Sequence, residues 1–237
     1  MLVIGMRPHP ALEKLREQLG YLECTNRFSK TVPVADAVDR WLPHGGLPTA
    51  CIHEVKSASL ASALAFCSIL SARIAGEQGN IVYLSSDRTL HPLGLLPYGV
   101  KLDRLLLVSV RRSQDLAWAL LEALRCSQVS AVMAMLDDAD LTSSRRLQLA
   151  AENSGATGFL LGRSTVAAIA SPITRWKISA LVGNPEQRFD EPIWTVDLLY
   201  CRSGRPGSWT IEWRNQRLST LFNRQVSMPT KREAMAG

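Results

Sequence analysis

The chain is poor in cysteine and aromatics, has no apolar run of membrane length, and lacks glycine in one central stretch where a phosphate-binding loop would need it. Its five cysteines (Cys24, Cys51, Cys67, Cys126 and Cys201) are scattered, odd in number and form no C-x-x-C pair. That usage argues against both a disulfide framework and a zinc site, and it suits a reducing compartment. The longest charge-free apolar stretch, 57–72, is flanked by Lys56 and Arg73, carries four serines besides Ser57, and falls short of the roughly 20 residues a membrane helix requires. Met1 to Gly5 is too short for a secretory core and is followed by Arg7 and Pro8, so the expectation is a soluble cytoplasmic protein. No G-x-S-x-G elbow occurs, and His9, His44, His53 and His91 have no evident serine or cysteine partner, which removes support for nucleophilic catalysis. His53-Glu54 lacks a second histidine four residues on, since position 57 is serine, so no metal is expected there.

The glycine gap carries the most weight. Cys51 to Ser62 reads as a strand, a turn and the start of a small-residue helix, yet no glycine lies between Gly46 and Gly76. A nucleotide-binding loop in such a place reads G-x-x-x-x-G-K-[ST], because glycines let backbone N–H groups wrap the phosphates and the lysine neutralises them. Lys56 is the nearest lysine, about six residues too early to serve from the first helical turn. The expectations are a degenerate phosphate loop, no cofactor and no enzymatic activity.

What is present is enough for a sizeable core: 237 residues, 46% of them hydrophobic, fit one α/β domain with an appendage. The net charge of +6 is concentrated between Arg202 and Arg232, where Arg202, Arg205, Arg214, Arg217, Arg224, Lys231 and Arg232 face Glu212 alone. A basic end of this kind suits nucleic acid or an acidic partner, and equally a solvated tail.

Leu12, Leu15, Leu19 and Leu22 fall on one side of an amphipathic helix over Pro10 to Glu23, with a linker to residue 33,. A core over 34–182 then alternates patterns: a short helix from Val34 to Leu42, a strand from Ala50 to Val55 and a helix from Leu60 to Ala75. Strands follow at Asn80–Ser85, Leu105–Val110, Ala131–Leu136 and Thr157–Leu161, with helices from Ser113 or Gln114 to Cys126 and from Thr142 to Ser154. These continuous apolar runs suit a parallel sheet covered on both faces. Period-two alternation from Thr174, in Ile193–Cys201 and in Ser208–Trp213, predicts three antiparallel strands that finish the sheet over 183–215,. Beyond Asn215 the pattern dissolves, and 216–237 reads as a basic, disordered tail.

This order resembles the RecA core over about residues 34–182. The lead-in Ala37-Val-Asp-Arg-Trp-Leu-Pro-His-Gly-Gly-Leu-Pro48 is similar to the turn preceding that family's phosphate loop, and Pro97-Tyr-Gly-Val-Lys-Leu-Asp-Arg-Leu-Leu-Leu107 to its entry into the next strand. Three segments resemble the ImuA family more closely: Glu122-Ala-Leu-Arg-Cys126, Asp140-Leu-Thr-Ser-Ser-Arg-Arg-Leu-Gln-Leu-Ala-Ala-Glu152 and Cys201-Arg-Ser-Gly-Arg-Pro-Gly-Ser-Trp209. The resemblance implies a RecA-like accessory protein of a bacterial translesion-synthesis cassette that contacts ImuB, and RecA with it, to help recruit an error-prone DNA polymerase in the SOS response. It also implies losses. The loop's lysine and threonine fall near Ala61 and Ser62, the water-activating glutamate near Ser86 or Asp87, the magnesium-orienting aspartate at Asp137 or Asp138, and the phosphate-sensing glutamine near Arg163. Both positions of RecA's DNA-binding loops, 137–141 and 164–172, are short, so RecA-type filaments are not expected. SulA, a cell-division inhibitor acting on FtsZ, shares such an inert core and is the alternative resemblance. The Leu12–Leu22 helix could dock on a neighbouring subunit, as RecA-family amino-terminal segments do, giving a homo-oligomer.

The candidate partner or DNA contacts are Arg145, Arg146, Arg202, Arg205, Trp209, Arg214 and Arg217. Arg145 and Arg146 precede a buried helical face formed by Leu147, Ala150 and Ala151, so at least one points outward. Trp209, Ile211 and Trp213 share one strand face, which suits either a base-stacking platform beside arginines or core packing. Asp137, Asp138 and Asp140 are explained by an acidic approach to a helix N-terminus without any ion.

Overall fold

The computed structural model describes residues 30–86, 90–136, 144–163, 172–181 and 191–224. The expected amino-terminal helix, Asp87, the three aspartates, Thr142, most of the 164–172 connection, the turn that Asn184-Pro185 predicts and the last residues lie outside these. A small antiparallel ribbon opens the described chain, β1 (Thr31–Val32) with β2 (Leu47–Pro48), and encloses the short helix α1 (Asp36–Asp39). α1 is shorter than the expected Val34–Leu42, because Pro43 starts a 3-10 turn in which His44 takes a left-handed φ of 59°.

The main body alternates β3 (Ile52–Ser57), α2 (Leu60–Ala75), β4 (Asn80–Ser85), β5 (Leu105–Ser109), α3 (Ser113–Arg125), β6 (Val129–Leu136), α4 (Ser144–Ser154) and β7 (Thr157–Arg163). It is completed by β8 (Thr174–Ala180), β9 (Ile193–Cys201), β10 (Gly207–Arg214) and β11 (Arg217–Arg224). Among the described residues the strands form one nine-stranded sheet in the order β11-β10-β9-β8-β3-β7-β6-β4-β5. Pairing is parallel from β8 through β5 and antiparallel from β8 to β11.

Two apolar layers hold the sheet. On one face α2 inserts Phe66, Ile69 and Leu70 against Trp176, Trp194 and Phe159, each large side chain contributing roughly 1.5–3 kcal/mol on full burial. On the other face Leu116, Leu120 and Leu124 of α3, with Leu147 and Ala151 of α4, pack on Ile52, Val82, Val132 and Leu160. Coverage from both sides explains why β4, β6 and β7 read as largely continuous apolar runs,. α4 stops at Gly155, whose φ of +85° suits glycine and whose N–H donates to the Ala151 carbonyl at 2.9 Å,.

Three strands differ from expectation. β8 is not antiparallel throughout: it runs parallel to β3 and antiparallel to β9, so the change of direction falls between β8 and β9. β5 is apolar but not covered, because it closes the sheet; Leu106, Leu107 and Val108 are 50%, 46% and 37% exposed. β11 occupies residues read as tail. It returns through a two-residue turn, Asn215-Gln216, with both φ values positive, the backbone twist that tight hairpins prefer. Its register skips Leu221 between Thr210 and Ile211, and this bulge breaks the alternation that would have marked a strand.

Candidate functional site

β3 ends at Ser57 and α2 begins at Leu60, so only Ala58 and Ser59 separate strand from helix. The Ser57 hydroxyl donates to the Ile178 carbonyl at 2.6 Å and accepts the Ser59 N–H at 3.1 Å. The Ser57 hydroxyl and the Ser59 N–H are therefore both engaged within the protein. Lys56 is on the strand rather than in the turn, with its ammonium 3.3 Å from Glu54 Oε1, while Arg175 Nε approaches Glu54 Oε2 at 2.5 Å. The Glu54 carboxylate, 2% exposed, thus balances two cations. Ala61 and Ser62 open α2, Ser86 follows β4, and Arg163 ends β7 opposite Ser57 in register. All lie at the carboxyl ends of parallel strands, the edge where open α/β sheets place ligands.

His53, on the opposite face of β3, is enclosed. Its Nε2–H donates to the Pro48 carbonyl at 2.9 Å, and its Nδ1 accepts from the Thr174 hydroxyl at 2.6 Å. Thr174 in turn accepts from Trp176 Nε1 at 2.6 Å. Each donor finds one acceptor only if the ring is neutral with its proton on Nε2, which is the tautomer this network assigns. Burial pushes the ring's pKa down to about 4. The ring stacks on Phe159 at 5.3 Å and has Cys51 Sγ at 3.3 Å, a packed arrangement without an open coordination position.

A second locus joins two distant pieces of sequence. The turn after β9 folds against the segment after α1: Arg205 N–H donates to the Trp41 carbonyl at 3.2 Å, and Arg202 N–H to the Ile173 carbonyl at 2.9 Å. Gly204 allows this approach, since a Cβ there would lie 2.5 Å from the Trp41 carbonyl oxygen and 2.7 Å from Cys201 Sγ,. Between the two segments lies a cleft of about 620 Å³ bordered by Arg40, Trp41, His44, Arg202, Ser203 and Arg205. Among the described residues, no acidic side chain lines it. Asp39, next to Arg40, is engaged elsewhere, accepting the Val34 N–H at 2.9 Å. Burial raises its pKa, partly offset by that hydrogen bond and the nearby Arg73.

The seven candidate contact residues divide among four places. Arg202 and Arg205 meet in this cleft, joined by Arg40 and His44, which sequence reading did not single out. Trp209 is 1% exposed and meets Trp41 edge-on at 6.0 Å, so its ring belongs to the core. Trp213, 5% exposed, donates from Nε1 to the Pro97 carbonyl at 3.1 Å. Arg214 and Arg217 face each other across the hairpin turn, with Arg214 3.3 Å from Glu191. Arg145 and Arg146 are exposed at the start of α4. Arg146 borders a smaller cleft of about 330 Å³ with Arg125 and Leu149. Arg40 escaped notice because about 160 residues separate it from Arg202, and no local period connects them.

No protein-family model matches the chain. It is 31% identical over 195 residues to Protein ImuA of Caulobacter vibrioides, in each of two strains, an alignment covering 74% of this chain and 80% of that protein. Among the described residues, no helix is long and apolar enough to cross a membrane. With identity at this level over most of both sequences, the chain belongs to the ImuA family.

Proposed function

We propose that this protein is a non-catalytic, RecA-like adaptor of an ImuA–ImuB mutagenesis cassette, acting in the cytoplasm during SOS-induced translesion synthesis. In this role it binds ImuB, and RecA with it, and helps bring an error-prone polymerase to damaged template. The observation that carries the reading is the two-residue connection from β3 to α2. A phosphate loop needs a span of glycine-rich backbone whose N–H groups converge on the ligand. Here the Ser59 N–H turns to Ser57, and Lys56 turns to Glu54. The order of strands around β3, and helices on both faces, favour descent from a RecA-like core whose nucleotide chemistry has been lost.

An adaptor also needs a surface. β5 offers an open sheet edge with Leu106, Leu107 and Val108 exposed, and such an edge accepts an extended partner segment by strand addition. Both relatives found are ImuA proteins, so the FtsZ-directed reading is set aside. Calorimetric titration with ATP and magnesium tests the nucleotide part. We expect no micromolar binding; binding at that level, lost on Lys56→Ala, would overturn the proposal. Capture of purified ImuB, with FtsZ as control, tests the partner.

A further inference from the structure

We propose that the cleft between α1 and the β9–β10 turn is a binding site for the phosphodiester backbone of single-stranded nucleic acid. The first reason is charge. Arg40, Arg202 and Arg205 converge on one cavity with His44 at its rim, and among the described residues no carboxylate borders it. None of these three arginines makes an ion pair among the described residues. Three guanidinium groups around one concavity repel one another and concentrate positive potential there, and an anion bound among them relieves that repulsion. Guanidinium groups also match phosphate oxygens in a bidentate manner.

The second reason is shape. A cavity of about 620 Å³ is in the range of nucleotide-sized ligands rather than of a single oxyanion. Trp41 borders it, half-buried, and its ring is held edge-on by Trp209 at 6.0 Å. A fixed indole beside arginines is the combination on which bases stack while the backbone is neutralised. An acidic peptide would use the arginines but has no need of the indole. The walls are also set in advance, by the Arg205–Trp41 and Arg202–Ile173 backbone hydrogen bonds and by the close approach at Gly204. β11 returns the chain to the same end of the sheet, with Arg224 opposite Ser208 in register.

The inference stands apart from the adaptor reading, because binding is read without ImuB. The test is fluorescence anisotropy of a labelled oligothymidylate of about 16 nucleotides with the full chain, between about 50 and 200 mM salt. The parent chain binds, and its affinity falls with salt. Arg202→Gln combined with Arg205→Gln weakens binding by about tenfold or more and lowers the logarithmic salt slope by about 1.4, for two phosphate contacts on a single strand. Arg111→Gln with Arg112→Gln removes the same charge from an exposed turn and leaves affinity and slope at the parent values. Arg205→Gln alone, on an exposed side chain, repeats the effect in part and guards against misfolding of the double variant. Absence of binding by the parent, or parent-like affinity and slope in the cleft variant, overturns the proposal. So does polyglutamate competing as well as unlabelled oligothymidylate, which would reassign the cleft to acidic polypeptide.

Discussion

Acidification should destabilise this protein through His53 before it reaches most carboxylates,. The ring is buried and neutral, with Nε2–H donating to Pro48 and Nδ1 accepting from Thr174, and its pKa lies at about 4 against an ordinary 6.5. Because the folded value is the lower one, the unfolded chain takes up the proton first as pH falls. The stability due to the neutral ring is therefore complete above about 6.5, declines below it, and is lost by about pH 4. The gap corresponds to about 3 kcal/mol, a large part of a typical domain's stability. In urea titrations this lowers the midpoint by roughly 1 to 2 M between pH 7 and pH 4.5. Among the described residues, Cys51, Pro48, Thr174 and Phe159 lie against the ring, and none of these carries a carboxylate. Asp39, with a raised pKa, acts in the opposite direction at the acid end, and subtracting a His53→Gln series cancels it. His53→Gln is less stable at neutral pH but has a flatter profile. A parent midpoint that stays constant, or one that falls in parallel with the variant, would refute the reasoning.

Three further outcomes follow from the packing. Glu54→Gln leaves Lys56 and Arg175 facing each other without their carboxylate and should destabilise the chain by about 3 kcal/mol in urea unfolding, whereas Lys56→Met leaves Glu54 balanced by Arg175 and should cost less. Trp209→Ala removes a fully buried indole and should cost about 3–5 kcal/mol in thermal or urea unfolding; a parent-like melting curve would place the ring outside the core. Leu106→Glu, at an edge position 50% exposed, should change stability by no more than about 0.5 kcal/mol while reducing ImuB capture, and undiminished capture would move the docking surface away from β5.

Elements whose identity rests on local chemistry were legible in the sequence. α2 spans Leu60–Ala75 and β4 spans Asn80–Ser85 as expected, because a small-residue helix ended by Gly76 and a buried aliphatic run carry their own boundaries. What failed depended on neighbours. An apolar run does not state whether it lies at the centre or the edge of a sheet, so β5 was expected to be covered. Seven alternating residues do not state strand direction, so the parallel pairing of β8 with β3 was invisible. The bulge at Leu221 displaced the phase of β11 by one residue and erased it. The same limit applies to the cleft: Arg202 and Arg205 stand out by charge, but Arg40 and His44 join them only through the fold.

The most direct test is capture of ImuB by the purified chain with EDTA and no nucleotide, set beside capture with magnesium and ATP. If the β3–α2 turn is a fixed scaffold, the two yields are equal. A complex that forms only with magnesium and ATP would contradict the adaptor reading, because the turn would then be acting as a nucleotide switch.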